Sequence, residues 1–439
     1  MPDQVGPFEL ARRMRTNGVT VYARPAYEEE VLPRRFFGRT SLILNAPEAI
    51  RRVLVDNHEA YARTNATIRI LRPLLGSGLF LSEGPDWRHQ RRMLAPSFTP
   101  RAASLLAPHM LPPIEATVAE LQAARGAPVN LFAAVQRLAL EIAGRTMFSL
   151  EMNADGGRLR ELVGRYSVRF ARPHLLDFLA PMGIPTPLDL ARRWFGRGWM
   201  AFFEGLMARR RQAGAAEPRD LFDLLLAARD PETGQAFSPT QLRDQAATMI
   251  MAGHETTAVA LSWALYLLAL APEVQERAAE EAKRAGTGPD GAPRLDDLAY
   301  ARAVVDETMR LYPPAYVIVR AAREPDEVAG VRVRPGDLIV VSPWLLHRHR
   351  RRWSDPDAFD PERFMPGAPP IQRYAYLPFG VGPRVCIGAH FALTEAVLVL
   401  ARLLRRFRVE LASGRPVMPV AIVTTQPDYQ PPFRLHPRA

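Results

Sequence analysis

Residues 379–388 read FGVGPRVCIG and contain Cys386, the only cysteine among the 439 residues of the chain. A single cysteine can form neither an internal disulfide nor a multi-cysteine metal site, so any chemistry it performs must come from one thiolate. From Ile387 onward the apolar residues have helical spacing, and Arg384 lies two residues before the cysteine. A helix N-terminus and a nearby cation both favour the thiolate over the thiol. The alternative is a buried, inert cysteine that packs as a small apolar side chain.

This segment resembles the haem-binding loop of the cytochrome P-450 family. The family pattern is Phe-x-x-Gly-x-Arg-x-Cys-x-Gly-x-x-x-Ala, and the chain has Phe379, Gly382, Arg384, Cys386, Gly388 and Ala392 at the fixed positions. The resemblance implies that Cys386 is the axial ligand of haem b (iron protoporphyrin IX), with Phe379, Arg384 and Gly388 at the cofactor. A thiolate ligand pushes electron density onto the iron and favours cleavage of an O–O bond. The glycines are expected to let the backbone run close to a flat ligand.

The net charge of the chain is +11, and the cations are 56 arginines and one lysine, Lys283. Such a charge is compatible with a nucleic-acid or membrane-surface partner. The arginines are spread over the whole length, however, and no nucleic-acid-binding motif accompanies them. We therefore expect no nucleic-acid partner.

The N-terminal residues 1–30 are polar and contain Pro7 and Pro25, so they lack the apolar core of a signal peptide. The longest apolar stretch, 246–271, includes His254 and Glu255 and is better explained as a buried helix than as a membrane span. The sequence thus predicts a cytoplasmic protein without a membrane anchor.

Local signals predict a mainly α protein with small β-sheets. Ser238 as N-cap and Pro239 at the first helical position begin a helix that runs to about Ala271. Further predicted elements are a strand over 40–44, a helix that starts at Pro47, a helix through Trp87 and Arg91 that ends before Pro96, a helix over 298–311, and a hairpin of 331–333 and 338–341 around Pro335-Gly336. The resemblance implies the cytochrome P-450 fold, with a helix-rich and a β-rich part in a single domain over residues 1–439.

A polar interruption lies within the apolar stretch, where residues 252–257 read AGHETT. Glycine in a helix interior costs about 1 kcal/mol relative to alanine, and an acid beside a hydroxyl disrupts the apolar face. Inconsistencies of this kind are expected at functional sites.

The interruption matches the family motif Ala/Gly-Gly-x-Asp/Glu-Thr-Thr/Ser, which forms an oxygen-binding groove over the iron. The resemblance implies that Thr256 hydrogen-bonds oxygen in this groove and that Glu255 relays protons through water. The alternative is that Thr256 only bonds the carbonyl four residues earlier, beside a Glu255 whose hydrogen bonds are satisfied.

Three charged residues match a structural network of the family. Glu307 and Arg310 are three residues apart on one predicted helix and can pair. They match the motif Glu-x-x-Arg, and Arg363 in Pro361-Glu362-Arg363-Phe364 matches the arginine that completes the network. The implied role is structural, as is that of His347, which we do not assign as a ligand.

Further cofactor contacts follow from the resemblance. Trp87 and Arg91 match the Trp-x-x-x-Arg contact with the haem propionates, and Arg320 and Arg384 fall where the family has additional cations. A planar guanidinium suits a carboxylate. For each arginine the alternative is a solvated surface side chain.

Apolar residues at family pocket positions predict a lipid, terpenoid or steroid-like substrate. All but Ala252, which belongs to the apolar stretch 246–271, lie in a predicted loop, 67–81, or in 315–319. The candidates are Ile70, Leu74, Leu75, Ala252, Ala315, Val317 and Val319. Any apolar core has a similar composition. Residues 175–199 are predicted to belong to an access lid.

We therefore expect a monomeric monooxygenase that uses O₂ and takes electrons from a ferredoxin or flavodoxin with its NAD(P)H reductase. Arg88 and Arg92 flank Arg91, so at least one of them should face solvent where an acidic ferredoxin could dock. The alternatives are a peroxygenase driven by hydrogen peroxide, against which the Glu255-Thr256 pair argues, and a haem-binding sensor or carrier without turnover.

Overall fold

The computed structural model describes residues 6–36, 38–149, 153–212, 220–288, 291–412 and 414–438. Fifteen α-helices lie within these residues: α1 Pro7–Thr16, α2 Pro47–Arg51, α3 Asn65–Leu75, α4 Gly84–Leu94, α5 Pro100–Ala123, α6 Leu131–Phe148, α7 Asn153–Arg169, α8 Leu175–Leu179, α9 Pro187–Gln212, α10 Leu221–Ala227, α11 Pro239–Leu270, α12 Pro272–Arg284, α13 Ala299–Leu311, α14 Pro343–Leu346 and α15 Ala389–Arg406. The eleven strands in the same residues are β1 Val31–Phe36, β2 Arg39–Leu44, β3 Tyr61–Ala62, β4 Ile318–Ala322, β5 Asp326–Val328, β6 Val331–Val333, β7 Leu338–Val341, β8 Phe407–Leu411, β9 Pro419–Ala421, β10 Thr425–Pro427 and β11 Phe433–Pro437. The predicted mainly α class with small sheets is confirmed.

The longest helix, α11, begins and ends almost where the sequence predicts. The hydroxyl of Ser238 accepts a hydrogen bond from the Gln241 N–H (3.2 Å), and the Gln241 side chain accepts one from the Ser238 N–H (2.8 Å). This reciprocal capping satisfies two otherwise unpaired helix N–H groups. The helix has 32 residues and is therefore about 48 Å long.

Five strands form one mixed sheet in the order β1-β2-β7-β4-β3, in which only the β2–β7 pair is parallel. The remaining strands form three antiparallel pairs, β5–β6, β8–β11 and β9–β10. The large sheet contains β4, and the first two residues of β4, Ile318 and Val319, belong to the 315–319 segment.

The predicted hairpin of β6 and β7 is wrong, although its turn is present. The Asp337 N–H donates to the Arg334 carbonyl (2.9 Å), and Gly336 has φ +88°, as a type II turn requires. The Asp337 carboxylate, however, accepts the Thr40 N–H (2.9 Å), which joins the start of β7 to β2. As a result β7 enters the large sheet, and β6 pairs with β5.

The predicted loop over 67–81 is also wrong in its first half, because residues 65–75 form α3. The hydroxyl of Thr64 caps this helix by accepting the Thr67 N–H (3.2 Å). Ile70 and Leu74, four residues apart, are buried on the same face. The helix is stable despite Pro73 because this apolar face packs on α9 and α11.

Two apolar cores flank the middle of α11. The second half of α11, including Trp263, packs with α5, α6, α13 and α15, and Trp263 stacks on Tyr312 with ring centroids 3.9 Å apart. The first half, including Ile250, packs with α3, α6, α7, α9 and α10. The polar residues 252–257 lie between these cores.

In the described part of the chain, no single helix is both long and apolar enough to cross a membrane. Only α11 and α12 taken together pass that test, and they meet at a bend of 116°.

Candidate functional site

A cavity of about 1120 Å³ lies where α3, α4 and α11 meet the segments 315–320 and 377–388. Ligand pockets usually measure roughly 300–1,000 Å³, so this one has room for a large ligand. All the predicted pocket residues line it, namely Ile70, Leu74, Leu75, Ala252, Ala315, Val317 and Val319. Sequence reasoning missed one part of the wall, which α1 and β1 supply through Leu10, Met14 and Leu32.

Cys386 lies in the wall of this cavity, at the N-terminal end of α15. Its side chain is accessible because it faces the cavity. Its N–H donates to the Phe379 carbonyl (2.9 Å), which closes the loop on itself. Burial raises the pKa of the Cys386 thiol, while the Gly388 N–H and the Arg91 guanidinium act in the opposite direction. A cation that bound the sulfur would replace the lost solvation and stabilise the thiolate.

The loop before Cys386 requires a glycine at position 382 for packing. Gly382 has φ +75°, and a Cβ there would overlap the Leu54 carbonyl oxygen. Packing is thus a reason for glycine at this position that the sequence did not show. Gly380 and Gly388 do line the cavity.

Four arginines of the cavity wall, Arg63, Arg91, Arg320 and Arg384, are here called the arginine cluster. The Glu83 carboxylate accepts hydrogen bonds from Arg63 (3.1 Å) and Arg384 (2.8 Å). Neither Arg63 nor Glu83 was identified from the sequence, because isolated charged residues carry no local signal.

The other members of the arginine cluster have no carboxylate of their own. Arg91 donates to the Val385 carbonyl (3.0 Å), next to Cys386. Arg320 donates only to the Val319 carbonyl (3.0 Å) and forms no ion pair among the described residues. Burial lowers the pKa of Arg320 to about 9, and repulsion by Arg63 and Arg384 contributes.

The arginine cluster therefore has an excess of positive charge. Its four cations face one carboxylate, Glu83, and Arg384 also lies over the Trp87 ring, 4.2 Å from its centroid. A buried excess charge is costly unless it is paired. Two carboxylates of a bound ligand would offset most of this excess, so the residues present fit a flat dianionic group whose metal could reach Cys386.

The middle of α11 forms another part of the wall and presents Thr256 to the cavity. The Thr256 hydroxyl donates to the Ala252 carbonyl (2.6 Å), which is the back-bond that the sequence left as an alternative. Because its proton is engaged there, the hydroxyl oxygen can accept a hydrogen bond from a donor in the cavity.

Glu255 is buried in the same wall, and its carboxylate is tied to the C-terminal part of the chain. One oxygen accepts hydrogen bonds from the Thr424 hydroxyl (2.8 Å) and the Gln426 amide (2.7 Å). The sequence offered no signal for either partner, since both lie about 170 residues away. His254 bonds the Ile250 carbonyl (2.6 Å), and burial lowers its pKa.

Glu307 and Arg310 form a fully buried ion pair that does not line the cavity. The guanidinium donates to both carboxylate oxygens (2.6 and 2.8 Å), and burial raises the pKa of Glu307. Arg310 also donates to the carbonyls of His347, Pro356 and Ala358, at 2.7 to 2.8 Å.

Arg363 joins this pair more loosely. Its Nε lies 3.6 Å from the Glu307 carboxylate and makes no hydrogen bond in the described structure. The outer nitrogens donate to the Ser354 hydroxyl and the Asp355 carbonyl. The three network residues thus lie together, apart from all other predicted site residues, which surround the cavity.

Comparisons with known proteins agree with this geometry. The family model described as Cytochrome P450 matches residues 8–433. Cyclooctatin synthase from Streptomyces melanosporofaciens is 33% identical over 85% of this chain and 81% of its own length. Pentalenene oxygenase from Streptomyces avermitilis is 32% identical over 86% of this chain and 84% of its own length. A solved structure, the heme domain of cytochrome P450DA, superimposes with a TM-score of 0.80 at 26% identity and covers 93% of this chain and 90% of that one.

We expect the Arg310→Ala variant to lose about 3–5 kcal/mol of unfolding free energy, because it leaves Glu307 charged and unpaired in the interior. Both side chains of this pair are 0% exposed. Urea unfolding followed by circular dichroism measures the loss.

The matched control for that experiment is Arg302→Ala on the same helix. Arg302 pairs with Asp306 at 2.7 Å but is half exposed, so its loss should cost about 1 kcal/mol or less. Equal losses in the two variants would contradict a special structural role for Arg310.

Proposed function

This chain belongs to the cytochrome P450 family, and we propose that it oxygenates an apolar organic substrate of the terpenoid class. Members of this family that resemble it are named as monooxygenases, and haem b is the family's cofactor. One relative is named for pentalenene and another for cyclooctat-9-en-7-ol. A large apolar cavity that also contains Cys386 and Thr256 is the observation that carries the proposal.

The overall reaction we propose is RH + O₂ + 2 e⁻ + 2 H⁺ → ROH + H₂O. Haem b, when bound, supplies the iron at which dioxygen is activated. Cys386 would hold that iron through its sulfur, and the arginine cluster would hold the two propionates. Trp87, Phe379 and Gly388 line the same part of the cavity and would contact the porphyrin.

We assign Thr256 the role of orienting a proton donor above the cofactor. Its own proton is held by the Ala252 carbonyl, so its oxygen is available as an acceptor inside the cavity. Glu255 lines the cavity and would exchange protons with water there, while one of its carboxylate oxygens accepts hydrogen bonds from Thr424 and Gln426. Thr424 and Gln426 are therefore positioning residues that fix the orientation of the Glu255 carboxylate.

Electrons would come from a ferredoxin or flavodoxin with its NAD(P)H reductase. Arg88 is the better docking candidate of the two arginines that flank Arg91, because it is half exposed and, among the described residues, pairs only with the exposed Glu59. Arg92 is held by the buried Asp230 at 3.0 Å. The single-domain organisation, the cytoplasmic location and the monomeric state stay predictions.

Reconstitution tests the function. The purified holoprotein, NADPH, a surrogate ferredoxin and reductase, and a panel of cyclic terpenoid hydrocarbons and steroids should give a product that carries one atom of ¹⁸O from labelled O₂. The reduced carbon monoxide complex should have the red-shifted Soret band of a thiolate ligand.

Cys386→His is the control for this experiment. No other cysteine can replace the sulfur, so the variant should keep some haem but lose both the shifted band and product formation. Product formed only with added hydrogen peroxide would indicate a peroxygenase, and a shifted band without product from any substrate would favour a haem sensor or carrier.

Thr256→Ala should bind haem and substrate normally but divert reducing equivalents to hydrogen peroxide. General acid–base assistance is worth about 10²–10⁴-fold, so product per NADPH should fall substantially. The ratio of product to peroxide measures this coupling. Thr257→Ala, which removes the similar bond to the Gly253 carbonyl, should leave the ratio nearly unchanged. Equal effects in the two variants would contradict the assignment.

Glu83→Gln should raise the reduction potential of the bound haem, because it removes a negative charge that favours the oxidised iron. The effect of a partly exposed charge should be roughly 10–40 mV, since one electron corresponds to about 40 mV per kcal/mol. Spectroelectrochemistry measures the shift. Glu59→Gln, which removes the carboxylate partner of Arg88, should shift the potential much less. A lower potential in the Glu83 variant would show that Glu83 is not the counter-ion of the arginine cluster.

A further inference from the structure

One cation of the cavity wall lies apart from the arginine cluster. Arg34 of β1 lines the cavity beside Leu10 and Met14 of α1. Its side chain is half-buried, and the guanidinium makes one long hydrogen bond, to the Val21 carbonyl (3.4 Å). Within the described part of the chain Arg34 has no ion pair.

Arg34 also lacks a negatively charged neighbour. Burial lowers the pKa of its guanidinium, and among the described residues only the Tyr22 hydroxyl acts against this shift. That hydroxyl is neutral at physiological pH, because burial raises the pKa of Tyr22. The only acid in the described cavity wall is Glu255, whose carboxylate is held by Thr424 and Gln426. A partly desolvated cation without a counter-charge favours an anionic ligand.

The strand register shows where Arg34 lies relative to the rest of the cavity. Leu32 of β1 pairs with Ile43 of β2. Val340 of β7 pairs with Ile43 on one side and with Val319 of β4 on the other. Paired residues share a face of the sheet, and so do alternate residues of one strand, so Arg34 belongs to the same face as Leu32. All five residues line the cavity.

This face forms an aliphatic floor between Arg34 and the arginine cluster. The floor consists of Leu32, Ile43, Val340 and Val319, and the next residue of β4, Arg320, belongs to the arginine cluster. In the strand order β1-β2-β7-β4, three spacings of about 4.8 Å place Arg34 about 14 Å across the sheet from β4. An anion at Arg34 is therefore separate from the two propionates that the arginine cluster would hold.

Ser41 offers a second polar group next to Arg34. The two residues are direct partners in the antiparallel pair of β1 and β2, and both line the cavity. The Cβ atoms of such partners are about 4.5–5.5 Å apart, so the hydroxyl and the guanidinium can reach one ligand. The Ser41 hydroxyl has no hydrogen bond to any other described residue. A guanidinium beside a free hydroxyl donor suits a carboxylate.

We propose that Arg34 and Ser41 bind the carboxylate of the substrate. The substrate would then be an amphiphile with a long apolar body and one terminal carboxylate, such as a terpenoid acid, whose body lies along the aliphatic floor. This inference rests on the proposed function, because it names the substrate class of the same cavity. A carboxylate held at Arg34 leaves the opposite end of the molecule nearest to Cys386 and Thr256, so oxygenation should occur at carbon atoms remote from the carboxylate.

Ligand pairs that differ only in charge test the proposal by binding alone. Diterpenoid acids and straight-chain fatty acids are titrated into the holoprotein beside their methyl esters, and haem difference spectra give the Kd of each. An acid whose body fits the cavity should bind about tenfold more tightly than its ester, because the ester cannot form the charge-assisted hydrogen bonds. The two kinds of acid show whether the floor takes a ring system or an extended chain.

Variants of β1 and β2 assign the preference to Arg34. Arg34→Gln should weaken binding of the acid about tenfold and leave the Kd of the ester nearly unchanged. Arg34→Lys keeps the charge and should retain part of the preference for the acid. The matched control is Arg39→Gln, which removes an exposed cation of β2 outside the cavity wall and should leave the preference intact.

Equal Kd values for acids and esters in the wild-type protein would overturn the proposal. So would the failure of every acid to bind, or an equal loss of preference in the Arg34→Gln and Arg39→Gln variants. These measurements need no electron transfer, so their outcome is separate from that of the proposed function. Oxygenation of neutral terpenoids without any preference for acids would leave the proposed function standing and remove only the carboxylate site.

Discussion

The passage of one helix between two apolar cores is the constraint on which this structure depends. Both halves of α11 pack in apolar surroundings, and each fully buried large side chain contributes about 1.5–3 kcal/mol. The middle of the helix can therefore carry Gly253, at a cost of about 1 kcal/mol, and the acid Glu255 without unfolding. The polar residues lie where neither core covers the helix, and the cavity forms there. The packing of the two halves of α11 therefore stabilises a helix whose centre presents polar residues to the cavity.

A continuous chain of contacts connects the buried ion pair to the cysteine loop. Arg310 donates to the carbonyl of His347, and the His347 ring accepts the Leu377 N–H at 2.8 Å. Burial lowers the pKa of His347 to about 3, so the ring stays neutral and remains an acceptor. Leu377 leads directly into the loop that Cys386 closes on Phe379. The ion pair is thus connected to the cysteine loop through His347 and Leu377, although it does not line the cavity.

Features encoded by neighbouring residues could be predicted, and features that join distant residues could not. The cap at Ser238 and the loop around Cys386 are local, and the structure has both where the sequence predicts them. The type II turn at Gly336 is local too, but the turn residues do not determine which strand β7 pairs with. The hydrogen bond from the Thr40 N–H to the Asp337 carboxylate joins β7 to β2. Glu83 was not identified from the sequence, because its arginine partners come from segments that are distant along the chain.

The arginines show why net charge alone is a poor guide to partners. Arg310 is neutralised by a buried acid, Arg320 keeps an uncompensated charge inside the cavity, and Arg193 keeps one on an apolar outer surface. The sequence does not distinguish these three environments, because burial and the nearest counter-charge decide them. An unpaired cation that lines a cavity favours an anionic ligand inside that cavity, because a buried charge is costly unless it is paired.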